Sequence, residues 1–348
     1  MTAASAKTHI PIYQQLYDSY RQSIITQELK PGTRINSIAE IQQRHSVSRE
    51  TAKIVLKKLA ENKLIVQKTG KGSFVADLGP RKKKWAVVVP FFSSFIENLL
   101  ELIKTEAGNK NRDLEHYVDY NNPMEEMRLV GELINQRYEA VIVIPVSDEI
   151  RTAEFYRNLT YGGTVVTLLN HTMAGSHFTY VIQSYDLGVK RAVTYLKSKT
   201  DKNLLFVKNR VWAETNMVQE LMERTFKNFT DGEKSGRKAL ISSHLVEIDN
   251  KCIEQNNIGG VFCCDDMDAV RIIGRLASNG IRIPGDISLI SYGNTELASF
   301  FTPGITSIDC HFEQMVEKTI EIIFSNLHGQ DNRFSQYVIQ PELVVRET

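Results

Sequence analysis

Residues 259–293 read GGVFCCDDMDAVRIIGRLASNGIRIPGDISLISYG and decide the class of fold. The apolar run at 259–263 has the length of a buried strand, and two carboxylates follow it. A helical stretch at 267–279 comes next, and a second apolar run at 287–291 completes the unit. A strand, a helix and a further strand in this order predict a parallel sheet that is covered by helices.

The same alternation of apolar runs and helical stretches extends back to residue 85. It predicts further strands at 85–89, 140–144, 164–168, 203–207 and 239–242, and helices at 95–109, 123–136, 187–198 and 214–229. Seven strands are many for one sheet of this type, so we expect two α/β lobes. We call residues 85–348 the body.

The body carries no motif for catalysis. Neither a phosphate-binding glycine loop nor a G-x-S-x-G elbow is present. His171 and His177 lie close together in sequence, but no third metal ligand follows at a useful spacing. The four cysteines form no C-x-x-C pair, which is typical of a reducing compartment. We therefore expect a binding protein without catalytic residues, metal or cofactor.

Asp265 and Asp266 stand between a predicted strand and a predicted helix. In open α/β sheets ligands bind at the carboxyl ends of the strands, so a carboxylate there can accept hydrogen bonds from ligand hydroxyls. The same position suits a residue that caps the helix beginning at 267. The residues alone leave both roles open.

Residues 1–77 follow a different pattern. A helix is predicted after Pro11, and two more at 37–45 and 49–62 are joined by a tight turn, with Ala39 and Ile41 facing the core of the domain. A hairpin with a glycine-rich, basic tip at 68–73 follows. Two helices joined by a tight turn and followed by a hairpin form a winged helix-turn-helix, in which the second helix of the pair fits the DNA major groove.

The charge of the chain is divided in the same way. The net charge is +1, but residues 1–84 hold 16 lysines and arginines against 6 acids, which gives +10 and leaves −9 for the body. A basic domain on an acidic body indicates a polyanionic partner, or only a solvated basic face. Residues 78–84 read LGPRKKK and form a basic linker that either follows DNA phosphates or is simply solvated.

Residues 10–76 resemble the GntR-type winged-helix DNA-binding domain. The resemblance is carried by PIY at 11–13, LKPG at 29–32, VSR at 47–49 and GKGSFV at 70–75. It implies DNA contacts from Ser48, Arg49, Thr51 and Lys53 on the recognition helix, from Gly70 and Lys71 on the wing, and from Ser37 to a phosphate. Ala39 stands where the family often has a DNA-contacting arginine. The alternative is a winged helix that contacts protein.

Residues 85–348 resemble the LacI/GalR-type effector domain, which is related to periplasmic sugar-binding proteins. The segment 259–308 carries most of this resemblance. The family fold has two lobes, three chain crossovers and a sugar in the cleft. It implies ligand contacts from Phe95, Asn170, Arg210, Trp212, Asn216 and Asp266. Core packing is the alternative for Phe95, and a capped helix start is the alternative for the residues at 210–216.

The sequence therefore predicts an α/β protein with an N-terminal winged helix-turn-helix at 1–77, a linker at 78–84 and a type I periplasmic-binding-protein-like body with parallel sheets. We expect lobe 1 at about 85–182 and 309–327, and lobe 2 at about 183–308 and 328–348. The combination resembles the arabinose-repressor type.

This resemblance implies a homodimeric repressor that binds double-stranded operator DNA and is released or reset by a small molecule. The expected effector is a monosaccharide, and a nucleobase or another metabolite is the alternative. No membrane span or signal segment is expected, which places the protein in the cytoplasm.

Overall fold

The computed structural model describes residues 11–25, 28–77, 82–146, 149–158, 163–173, 178–208, 217–231, 236–242, 244, 247–328 and 335–348. Two six-stranded sheets and one two-stranded hairpin form its framework. The predicted α/β class, with parallel sheets behind a winged helix, is confirmed. Among these residues, none of the helices combines the length and the apolar character that crossing a bilayer requires.

The N-terminal domain is a three-helix unit with a hairpin. Its elements are α1 (Ile12–Ile25), α2 (Ile38–His45), α3 (Arg49–Glu61), β1 (Ile65–Lys68) and β2 (Gly72–Val75). The two strands pair antiparallel, with Lys68 opposite Gly72 at the tip. Ile41, Val55 and Leu59 are fully buried between the helices. The predicted inward position of Ala39 is wrong, because α2 turns Ile38 and Ile41 inward and leaves Ala39 exposed.

The first sheet of the body forms lobe 1. Its strands are β3 (Lys82–Val89), β4 (Asp113–Val118), β5 (Tyr138–Val143), β6 (Val165–Asn170), β7 (Tyr180–Gln183) and β13 (Gln336–Ile339). They lie in the order β13-β7-β6-β5-β3-β4, and every neighbouring pair is parallel. The helices of this lobe are α4 (Ser94–Asn109), α5 (Pro123–Asn135), α6 (Ile150–Asn158) and α12 (Phe312–Leu327).

The second sheet forms lobe 2. Its strands are β8 (Asn203–Val207), β9 (Ala239–Ser242), β10 (Ile258–Cys263), β11 (Ser288–Gly293), β12 (Thr306–Asp309) and β14 (Glu342–Val344). Their order is β14-β12-β11-β10-β8-β9, and β14 alone runs antiparallel to its neighbour. The helices of this lobe are α7 (Tyr185–Lys199), α8 (Met217–Asp231), α9 (Asn250–Gln255), α10 (Asp266–Ser278) and α11 (Glu296–Phe300).

The chain passes between the lobes three times. It leaves lobe 1 between β7 and α7, returns between β12 and α12, and leaves again between β13 and β14. The strand Gln336–Ile339 therefore lies in lobe 1, whereas the sequence-based boundary placed 328–348 in lobe 2. Parallel pairing with β7 decides this position, because Gln336 lies opposite Tyr180 and Ile339 opposite Gln183.

The first strand of the body begins inside the predicted linker. Lys82 and Lys84 belong to β3, which pairs with β4 and β5. The Lys84 ammonium lies 2.5 Å from the Glu115 carboxylate, and this contact, with hydrogen bonds from Tyr138 and Tyr117, lowers the pKa of Glu115 to about 2. The edge strand β4 thus supplies a carboxylate that pairs with a lysine of the neighbouring strand β3. The basic run therefore continues into the first strand of the body instead of ending before it.

Candidate functional site

The recognition helix α3 begins with two hydroxyl residues that hold each other. The Ser48 hydroxyl caps the helix by accepting from the Thr51 backbone N–H at 3.1 Å. The two side-chain oxygens lie 2.9 Å apart. Arg49 is exposed between them, and no hydrogen bond or ion pair engages its guanidinium within the described part of the chain. The first turn thus offers a fixed backbone and a free cation.

The basic stripe of α3 is partly neutralised. Lys53 lies 3.8 Å from Glu50 and Lys57 lies 3.7 Å from Glu61, and all four side chains are well exposed. Such exposed pairs are weak and separate at little cost when a phosphate approaches. Lys58, in contrast, turns inward and donates to the Gln14 side chain at 2.8 Å. Lys58 therefore fastens α3 to α1 and is unavailable to DNA.

Ser37 is the N-cap of α2 and forms a complete capping box. Its hydroxyl accepts from the Glu40 N–H at 3.3 Å, and its own N–H donates to the Glu40 carboxylate at 2.6 Å. Ser37 thereby satisfies backbone groups at the start of α2. The predicted phosphate contact stays a prediction.

The wing contains one cation that sequence analysis did not single out. Gly70 has a φ of +71°, which a tight hairpin tip requires, and Lys71 beside it is exposed. Arg34 forms an antiparallel bridge with Phe74 and so adds a third chain segment beside the hairpin. Its Nε lies close to Gly72, 3.5 Å from the position that a Cβ on this residue would take. Arg34 was missed because it lies about 40 residues before Phe74 in the sequence, and only the folded chain brings the two together.

A cleft of about 810 Å³, including space open to solvent, lies between the two lobes. Residues that follow β3, β5, β6 and β10 line it, as expected where the carboxyl ends of parallel strands meet. Its described walls are mainly apolar and aromatic, and the polar groups include Ser93, Asn121, Asn170, Gln219 and Asp265. Such a lining suits a small ring with a few hydrogen-bonding groups.

A buried network of amide and phenol groups joins the lobes at the floor of this cleft. The Gln183 amide donates to the Asn170 side-chain oxygen at 2.9 Å, and its own oxygen accepts from the Tyr292 hydroxyl at 2.8 Å. The Tyr185 hydroxyl donates to Asn170 at 2.6 Å. Burial raises the pKa of both tyrosines well above its usual range, so both remain neutral donors. Gln183 was not predicted, because a lone glutamine carries no motif.

Two predicted ligand residues lie on the cleft wall. Asn170 ends β6 with a φ of +68°, and its side-chain oxygen is occupied by the network while no described residue engages its amide nitrogen. Phe95 also lines the cleft and packs edge-on against Phe312, with ring centroids 4.8 Å apart. For Phe95 the packing role and the wall position therefore coexist.

Asp266, in contrast, is not among the residues that line the cleft. It is 1% exposed and its carboxylate accepts hydrogen bonds from Ser291, Ser307 and both the N–H and hydroxyl of Thr295. Its oxygens face the neighbouring strands in this structure, and the ligand contact predicted for Asp266 stays a prediction. Asp265 lines the cleft instead and caps α10 through the Asp268 N–H at 2.7 Å.

The remaining predicted ligand residues, Arg210, Trp212 and Asn216, lie outside the described residues. Next to the cleft, Cys264, Asp265 and Asp268 place one possible metal-ligand atom each within 4.8 Å of one another. Asp268 is already bound to Arg271 at 3.0 Å, and the Cys264 sulfur accepts from Gln219 at 3.3 Å. These contacts explain the cluster without an ion.

Comparison with known families agrees with this division. The family described as "Bacterial regulatory proteins, gntR family" matches residues 12–75, and the family described as "Periplasmic binding protein-like domain" matches residues 186–348. The chain thus joins a segment similar to gntR-family regulatory proteins to a segment similar to periplasmic binding protein-like domains.

Individual proteins resemble parts of the chain. A repressor named PurR from Vibrio campbellii is 34% identical over 104 residues, which cover 30% of this chain and 31% of that protein. The match thus spans about a third of the relative's length.

Solved structures resemble the body as a whole. A LacI-type regulator from Alkaliphilus metalliredigens, in complex with D-xylulofuranose, has a TM-score of 0.64 at 19% identity, covering 77% of this chain and 99% of that one. The Lac repressor dimer bound to operator and the anti-inducer ONPF has a TM-score of 0.67 at 15% identity, covering 78% and 95%. At these identities the likeness shows the fold alone.

Asp265 and Asp266 have different hydrogen-bond partners, so we expect their removal to lower the free energy of unfolding by different amounts. Asp266→Ala leaves three buried hydroxyl groups without their acceptor, and we expect it to lower the free energy of unfolding by about 3 kcal/mol or more. Asp265→Ala removes a helix cap and should cost about 1 kcal/mol. Urea unfolding of both variants measures the difference, and equal costs would contradict these roles.

Proposed function

We propose that the protein is a transcriptional regulator that binds operator DNA through its winged helix and a small molecule through the interlobe cleft. The observation that carries this proposal is the exposed first turn of α3, where Arg49 is free between the fixed hydroxyls of Ser48 and Thr51. Arg49 and Lys53 lie about one turn apart on the same face of α3, where their side chains can contact base edges and phosphates. Lys71 and Gly70 on the wing add a backbone contact.

A binding role is supported over a catalytic one. The cleft walls of the described residues are apolar and amide-rich, and the proteins that the chain resembles are regulators. DNA as the partner places the protein in the cytoplasm. Repression, and not activation, is the expected outcome, because the PurR relatives and the Lac repressor are named repressors.

For the effector we propose a monosaccharide. The aromatic residues Phe95, Tyr185 and Tyr292 supply faces for a sugar ring, while Asn170 and Asp265 supply a donor and an acceptor for its hydroxyls. The structural relative with D-xylulofuranose supports this choice. A nucleobase is the second candidate, and the PurR relatives favour it, because flat aromatic walls also stack on a planar base.

The network at the first crossover provides the route from ligand to DNA. Asn170 and Gln183 belong to lobe 1, whereas Tyr185 and Tyr292 belong to lobe 2. Three of these four residues also line the cleft. A ligand that binds one arrangement of the lobes more tightly shifts the population towards it, and DNA affinity then changes by the reciprocal linkage.

We further propose a twofold dimer formed through lobe 2. Phe300 on α11 is 79% exposed, which is unusual for a phenylalanine without a partner. Met267 on the adjacent helix α10 adds exposed apolar surface. A dimer presents two winged helices to two half-sites, about 34 Å or a multiple of it apart.

Removing the free guanidinium tests the DNA role. Arg49→Ala should weaken binding to a duplex selected from random sequence by about 1–3 kcal/mol, because a bidentate contact to a base edge is lost. Lys104→Ala on the body provides the matched control and should leave affinity unchanged. Equal affinities for Arg49→Ala and the native chain in a gel-shift titration would refute the role.

A panel of monosaccharides and nucleobases tests the effector. A ligand at about a hundred times its Kd stabilises the native state by about 2.7 kcal/mol and raises the melting temperature. Asn170→Asp keeps the acceptor used by Gln183 and Tyr185 but removes the free amide, so it should abolish the shift. Stabilisation by no monosaccharide would exclude the sugar, and a response to bases alone would establish the second candidate.

Sedimentation velocity tests the dimer. The native chain should sediment as a dimer at micromolar concentration, and Phe300→Glu as a monomer, because a charge at the centre of an apolar interface is strongly unfavourable. Ile150→Glu changes a side chain that is 75% exposed on lobe 1 and should remain dimeric. A monomeric native chain would contradict the proposal.

A further inference from the structure

Two carboxyl groups lie buried directly behind the lobe 1 wall of the cleft. Asp119 follows β4 and Glu126 lies in the first turn of α5, and both are 0% exposed. No lysine or arginine pairs with either of them within the described part of the chain. Buried carboxylates without a cation are rare, because ionising them in a dry interior is costly.

Each of these acids holds a segment of the cleft wall. One Glu126 oxygen accepts from the Val146 N–H at 2.8 Å, and the other accepts from the Tyr156 hydroxyl at 2.7 Å. One Asp119 oxygen accepts at 2.9 Å from the Asn121 N–H, which also donates to the Pro90 carbonyl at 3.0 Å, whereas the other Asp119 oxygen is buried without any hydrogen bond. Asn121 and Val146 both line the cleft, so the two acids fix the positions of two wall residues.

The surroundings of the pair favour a bound proton. Burial, and then the charge of Glu126, raises the pKa of Asp119 to about 8. Burial raises the pKa of Glu126 to about 7, although the hydrogen bonds from Tyr156 and Val146 lower it. Among the residues that the structure describes, the other ionisable groups that face the pair are Glu125 of α5 and Tyr156 of α6, and strand β3 contributes the Val89 carbonyl.

We propose that Asp119 and Glu126 form a proton-operated latch on the cleft wall. While the pair retains a proton, Asn121 and Val146 stay in place. When the last proton leaves, two like charges share a dry site and one Asp119 oxygen has no donor, so the acids turn towards water and release the wall. This regulation goes beyond the proposed function, and only its effect on ligand binding rests on that function.

The direction of the pH dependence follows from proton linkage. The folded chain keeps these protons up to about pH 7–8, whereas the unfolded chain loses them near pH 4. The folded state thus binds more protons across this window, and stability falls as pH rises from about 4 to about 8. A ligand that needs the intact wall will bind with proton uptake and less tightly at alkaline pH.

Hydrogen exchange of the full chain without ligand tests the latch. Protection factors, corrected for intrinsic exchange, should fall about tenfold or more at the Asn121 and Val146 amides between about pH 6 and 9. Asp119→Asn keeps the acceptor for Asn121 and removes one charge, so it should flatten this change. Asp113→Asn, an exposed acid on β4, is the control and should behave like the native chain.

A second variant keeps the test decisive should Asp119→Asn fail to fold. Tyr156→Phe removes a donor from Glu126, which raises its pKa further, and the loss of protection should move to higher pH. Carboxyl carbon NMR titration reports both acids directly. Protection that does not change with pH, or carboxyl titration near pH 4, would overturn the latch. Neither readout depends on DNA or effector binding, so failure of the proposed function is distinguishable.

Discussion

The relative position of the two lobes depends on hydrogen bonds to the side-chain amide of Gln183, which is buried where the chain first passes from lobe 1 to lobe 2. Its nitrogen donates to Asn170 of lobe 1 at 2.9 Å and to the Tyr185 hydroxyl of lobe 2 at 3.0 Å, and its oxygen accepts from Tyr292 of lobe 2 at 2.8 Å. A buried amide with one end unpaired would cost about as much as several buried methyl groups contribute. The lobes are therefore held in a specific relation by direction-dependent bonds and not by apolar contact alone.

Close packing within lobe 2 positions the two tyrosines of this network. Gly188 in α7 lies so near Tyr292 that an added Cβ would come within 2.8 Å of the ring and its hydroxyl. The stacked rings of Tyr185 and Tyr292, with centroids 5.5 Å apart, fill the remaining space. Directional hydrogen bonds between the lobes and close packing within lobe 2 together define the positions of Tyr185 and Tyr292.

Much of this fold was predictable from period and composition. The strands at 203–207 and 239–242 have the bounds that their apolar runs indicate. Strand β4 was missed because it is an edge strand in which polar and apolar residues are mixed, and β7 and β12 because each is only four residues long. Their pairing with distant neighbours, and not their own propensity, makes them strands.

The site was harder to predict, for a reason that adjacent residues illustrate. Asp265 and Asp266 are identical in chemistry, yet one faces the cleft and the other is enclosed by Ser291, Thr295 and Ser307. The backbone turn between β10 and α10 determines the direction in which each side chain points. Sequence periodicity does not locate such a turn to within one residue, so it could not assign the two directions. Gln183, Asp119 and Glu126 were missed similarly, since their importance arises from burial among residues far apart in sequence.

The early start of β3 sets the length of the tether between the two domains. The winged helix is described to Asp77 and the body from Lys82, so five peptide steps separate them. Fully extended, they span about 18 Å. A winged helix joined by so short a linker has a limited range of positions and cannot reach a distant half-site. In a dimer, the separation of the two half-sites that can be occupied together is therefore limited by the geometry of the paired bodies.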